Sequence, residues 1–187
     1  MQTFEWAIEE IVTLHPGLYL DHCAVMAVSV MLEEPERWCE FLVESDGFSP
    51  EITEGESRFL LRVHWTEETA SKAARVRHSE QSRPIVERAA VGLAALVFGR
   101  LISNGSMRVT REKERADFWL PRIRRALEIS GTEHAHEVQR RHREKVVQML
   151  ANPCRWDGYV FLSRFESGKR FIRWSFHSQE ERERATI

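Results

Sequence analysis

The chain has 187 residues, 42% hydrophobic and 30% charged, enough to pack one globular core and too apolar for a disordered chain. Its net charge of −2 conceals a split: residues 1–82 carry 6 Lys+Arg against 16 Asp+Glu, and residues 83–187 carry 21 against 13. No run reaches the ~18–20 apolar residues of a membrane span, the start MQTFEWAIEE is acidic where a signal peptide is basic, and three scattered cysteines make neither a disulfide framework nor a zinc set, so a cytoplasmic protein is expected.

Phe4, Ile8, Ile11 and Val12 fall at helical spacing, so residues 3–14 read as a short amphipathic helix ended by His15-Pro16-Gly17. The run from Cys23 to Leu32 has no polar side and is buried on most sides, as helix or strand. Residues 36–44 read as helix, 45–57 as loop, and RFLLRVHW at 58–65 as strand. Thr66, followed by Glu67 and Glu68, caps a polar helix to about Arg77. HSEQSRP at 78–84 is the plausible boundary between an acidic, mainly helical N-terminal region, 1–82, and a second unit, 83–177; residues 178–187 form a polar tail.

Pro84 opens a helix to about Ile102 in which Ile85, Val86, Ala89, Leu93, Leu96 and Phe98 are among the apolar residues covering nearly every side. Short strands follow at Met107–Thr110, Ala116–Leu120 and Ala126–Ser130, the last closed by Gly131. Thr132 caps a helix to about Leu150. Two further strands, 158–165 and 170–176, pair antiparallel across a Glu-Ser-Gly turn. The fold class is α/β, with a mixed central sheet and helices on both faces. No Gly-rich phosphate loop follows a strand, which argues against nucleotide binding by that route.

ADFWL places Asp117 on the second strand of this unit, and ALEIS places Glu128 on the third. The order helix, three strands, helix, strand, with those two acids, resembles the core of the PD-(D/E)XK, or restriction-endonuclease-like, nuclease superfamily over about residues 84–176. The resemblance implies that Asp117 and Glu128 hold a divalent metal, Mg²⁺, which keeps several waters and needs few protein ligands. It also implies a lysine two residues after the Glu, but Ser130 stands there, and Ala116 stands where a proline often precedes the Asp. Members of the superfamily supply the lysine from the second helix instead. At ~100° per residue Lys145 and His142 share the core-facing side of that helix with Val138 and Met149, which makes Lys145 the candidate replacement. Some members add an acid from the first helix, and Glu87 matches that position.

Structural alternatives stand beside each of these roles. Asp117 can cap a strand edge, Glu128 can pair with Arg115, Arg124 or Arg125, Glu87 can pair with an arginine, and Lys145 can snorkel at the rim of an apolar face. His134 and His136, two apart, do not share a helix face, and no HExxH motif supports zinc. The sequence thus points to a nuclease-like protein acting on or binding DNA or RNA with a divalent metal. The alternative is a catalytically inactive relative, or an unrelated cytoplasmic protein, serving as a protein-interaction subunit of a larger bacterial complex. The charge split favours a nucleic-acid partner if the arginines of the second half share one face.

Overall fold

A computed structural model describes residues 1–32, 37–46, 57–79, 82–102, 105–111 and 116–180. In chain order the elements are β1 (Thr3–Ala7), α1 (Ile11–Leu14), α2 (Asp21–Met31), β2 (Trp38–Asp46), β3 (Arg58–His64), α3 (Glu67–Ser79), α4 (Ser82–Leu101) and β4 (Arg108–Val109). They continue with β5 (Phe118–Leu120), β6 (Arg125–Thr132), α5 (Val138–Leu150), β7 (Gly158–Arg164) and β8 (Phe171–His177). The strands form one mixed sheet ordered β1-β3-β2-β8-β7-β6-β5-β4.

Strands β4, β5 and β6 make an antiparallel meander. The chain then crosses through α5 and returns as β7, parallel to β6. β8 pairs antiparallel with β7 and parallel with β2, which ties residues 1–82 into the same sheet. α4 packs on one face of β6 and β7, and α5 on the other.

α4 carries almost no polar residue along its middle, and Ala89, Ala90 and Leu93 to Phe98 are all fully buried. Two glycines permit its close packing. A Cβ at Gly92 would lie 2.8 Å from the Cys23 carbonyl oxygen on α2, and one at Gly131 would lie 2.6 Å from the Val86 carbonyl oxygen, so α4 sits directly on β6. α5 is a different kind of helix: Met149 is its one fully buried apolar residue, and most of its outer surface is charged.

The helical readings at 3–14 and 36–44 are corrected. Thr3–Ala7 pairs in parallel with β3, and a 3₁₀ turn at Ile8–Glu10 leads into the single turn of α1. The aromatic residues Phe4 and Trp6 fit a pleated surface, and pairing with β3 outweighs a local helical spacing over so short a segment. In Trp38–Asp46 the residues Cys39, Phe41 and Val43 are buried while Trp38, Glu40, Leu42 and Glu44 are half-buried, a period of two. The acidic N-terminal region therefore contributes three strands as well as helices. Thr132 belongs to β6, and α5 starts only at Val138, after a 3₁₀ turn at Ala135–Glu137. Its hydroxyl still accepts the His134 N–H at 3.1 Å and donates to Glu137 at 2.8 Å. The loop expected at 45–57 begins after Asp46 and, with most of the polar tail, lies outside the described residues. No described helix is long and apolar enough to cross a membrane.

Candidate active site

Strand pairing brings the two predicted acids together. One step beyond the pair Phe118↔Leu127 sets Asp117 opposite Glu128. The row continues in register from Glu128 to Val160, Ser175 and Asp46 across β7, β8 and β2. In-register neighbours project from the same face of a sheet, so this row lies under α5.

Lys145 reaches the row from above. Its Nζ donates to Asp117 Oδ2 at 2.7 Å and to Glu128 Oε2 at 2.9 Å. Asp117 Oδ2 also accepts the Ile129 backbone N–H at 2.8 Å, which fixes the carboxylate against β6. The three side chains differ in access: Glu128 is 3% exposed, Lys145 18% and Asp117 37%, so the cluster opens to solvent on the Asp117 side.

Burial makes Glu128 costly to ionise, and the adjacent Asp117 charge adds to that cost. Lys145 opposes both, yet the Glu128 carboxyl is pushed up from 4.5 to about 7. Burial works against the Lys145 ammonium as well, but the two carboxylates outweigh it and hold its pKa above the ordinary lysine value. The arrangement is a half-sealed acid pair with one cation between its members and a proton exchanged near neutrality.

Glu87 does not join this group. It is half-exposed and pairs with Arg141 at 3.6 Å, beside Thr132 and Glu137. Glu137 is the more firmly held acid there: the Thr132 hydroxyl and Arg141 lower its pKa to about 2. Ser130 is buried two residues beyond Glu128 in β6. Arg125 turns to Asp157 at 3.6 Å rather than to Glu128, and Arg115 lies outside the described residues. His134 and His136 stack on one another with ring centroids 5.5 Å apart.

Sequence reasoning missed the far flank of α5. His142 Nε2 lies 2.8 Å from Ser175 Oγ, and His177 Nε2 lies 2.7 Å from the same oxygen. His142 and Lys145, three residues apart, thus pin α5 to the same row on either side of Val160. The signal was the S-x-H alternation of β8, which puts Ser175 and His177 on one face. The basic character of the second half is largely spent internally: Arg140 and Arg141 bind Glu137, Arg140 also binds Glu144, and Arg173 binds Asp46.

Among the described residues no group of three or more His, Cys, Asp or Glu converges to hold a metal. The pair of hard carboxylates fits Mg²⁺, which is bound through one or two carboxylates and keeps its waters, and does not fit the nitrogen and sulfur ligands preferred by zinc. No family model matches the chain, and no curated protein and no solved structure is significantly similar to it.

Proposed function

We propose that the protein is a divalent-metal-dependent, nuclease-like protein of the restriction-endonuclease-like kind, with a phosphodiester reacting at Asp117, Glu128 and Lys145. One observation carries this reading: a lysine delivered by α5 touches two carboxylates held on adjacent antiparallel strands. The connectivity around it, a helix, a three-stranded meander, a second helix and a parallel strand, supports the same reading.

Each residue then has a physical task. Asp117, pinned by the Ile129 N–H, presents a rigid oxygen ligand at the open side of the cluster. Glu128 supplies the second oxygen and, with its carboxyl near 7, exchanges a proton close to neutral pH. Lys145 keeps the acids ionised and is placed to orient a water or a phosphate oxygen. Bound Mg²⁺ would lower the pKa of a coordinated water and offset charge on the phosphate.

A metal titration of the melting temperature tests this reading. Mg²⁺ or Mn²⁺ at a hundred times its Kd should raise the Tm by about 5–10 °C for a chain of this size. Asp117→Asn should abolish the rise. Cleavage of nucleic acid should vanish in Asp117→Asn and Glu128→Gln and fall in Lys145→Ala. No shift and no cleavage would leave the second reading, a catalytically inactive interaction subunit. The feature favouring that alternative is that Lys145 already neutralises the acid pair.

A further inference from the structure

α5 covers its face of the sheet over β6 and β7 and leaves the β8-β2-β3-β1 half open. Cys39, Phe41, Val43, Phe59, Leu61 and Val63 point away from this open half into the core. The alternate residues make its surface. Arg164, Phe171, Leu42 and Leu60 stand in one cross-strand row, in register with Thr132 of β6, and so project from the same face as Glu128.

Most of the open half is a neutralised ladder. Arg58 pairs with Glu44, and Arg62 with Glu5 and Glu40, each at 3.1 Å. The exception is a depression of about 480 Å³ at the β7–β8 turn. Leu42, Leu60 and Phe171 form its floor, Trp38 is a wall, and Arg164, Lys169 and Arg170 stand around it. Glu40, the acid among these lining residues, is taken by Arg62, whose guanidinium also lies 5.0 Å from the Trp38 ring centroid. Glu166 at the turn contacts Arg164 at 3.9 Å and Lys169 at 3.6 Å, which still leaves the cations in excess.

We infer that this depression binds a nucleotide unit of a single-stranded nucleic acid, the base against Trp38 and Phe171 and the phosphates along Arg164, Lys169 and Arg170. An apolar floor with two aromatic rings offers a stacking surface that every base can use, and the cationic rim matches a polyanion. The volume suits one nucleotide rather than a duplex. The inference rests on the nucleic-acid reading above and extends it by naming the form of the substrate and a second place where it is held.

Fluorescence anisotropy of a labelled oligothymidylate tests it, with the full chain in EDTA so that the metal site takes no part. Binding should be strongest at low salt. Trp38→Ala and Phe171→Ala should weaken it roughly 5- to 100-fold. Lys169→Ala, at a well-exposed side chain where folding is not at stake, should flatten the slope of log K against log salt by about 0.7. Absence of binding at low salt, or wild-type affinity in Trp38→Ala and Lys169→Ala alike, would overturn the inference. So would equal or tighter binding of a duplex, or a concentration-dependent dimer dispersed by Trp38→Ala, which would assign the face to a second copy of the chain. The metal-induced rise in Tm reads the Asp117–Glu128 site without nucleic acid, so failure of one proposal is separable from failure of the other.

Discussion

β6 is one strand with two environments. Leu127, Ile129 and Gly131 face α4, in a core without charge, where the backbones approach so closely that Gly131 has no room for a Cβ. Ala126, Glu128, Ser130 and Thr132 face α5, and there a carboxyl, two hydroxyls and a lysine from the helix share the interface. The dry face depends on shape, so its energetics should hardly respond to pH. The polar face depends on charges that burial has made costly, so its energetics should follow protonation.

Removing the cation breaks the polar face most severely. Lys145→Met leaves Glu128 and Asp117 facing one another, and the loss of one partner of a buried pair costs about 3–5 kcal/mol. That cost applies at pH 8. At pH 5 Glu128 is protonated and needs no partner, so urea unfolding should show a much smaller loss there. A Lys145→Met penalty that is equal at both pH values would contradict the assignment of the charge to Glu128. On the dry face, Leu127→Ala opens a cavity and should cost about 2–5 kcal/mol, with the same value at pH 5 and pH 8. The contrast between the two pH profiles, rather than either magnitude alone, tests the division of the strand.

Ser175→Ala is the next smaller effect. It strips the shared hydroxyl from His142 and His177 at the far flank of α5, and half-buried ring nitrogens without a partner cost about 1–3 kcal/mol. If this contact also sets the position of Lys145, the pH dependence of stability should change in the same variant. If it serves packing alone, the loss should be uniform with pH.

The two faces also differ in how far the sequence reveals them. The α4 side was legible because its signal is local: a twenty-residue apolar helix and the short strand segments beside it announce burial whatever their partners are. The Asp117–Glu128 pair was legible for a related reason, since a short connection between two strands leaves few ways to place ten intervening residues. Lys145 could be read from helix phase alone. The row beyond Val160 could not. Ser175 and Asp46 are 129 residues apart and meet only because β8 pairs with β2, and β2 itself reads as helix when Trp38, Phe41 and Leu42 are taken without their strand partners. Parallel pairing of distant strands leaves no mark on local periodicity, and the open half of the sheet was hidden with it.

Glu128→Gln is the smallest perturbation and the most discriminating. Glutamine keeps the shape of the protonated acid, so at pH 5, where the wild-type carboxyl is already neutral, the two proteins should differ by little in stability. The sign of the divergence follows from linkage. The carboxyl titrates near 4.5 when unfolded and about 7 when folded, so the native state holds the extra proton between those values. Wild-type stability therefore falls as pH rises through that window, whereas the glutamine variant lacks this contribution. The difference should grow in favour of the variant from about pH 5 to pH 7 and level off above. Divalent metal should reverse the order at high pH, because it binds the ionised carboxylate and has no such ligand in the variant. Denaturant melts of both proteins at pH 5, 7 and 8.5, with and without Mg²⁺, read all three points. Parallel curves for the two proteins at every pH would place the titration elsewhere. A metal-independent difference at pH 8.5 would take Glu128 out of the metal site and favour the interaction subunit.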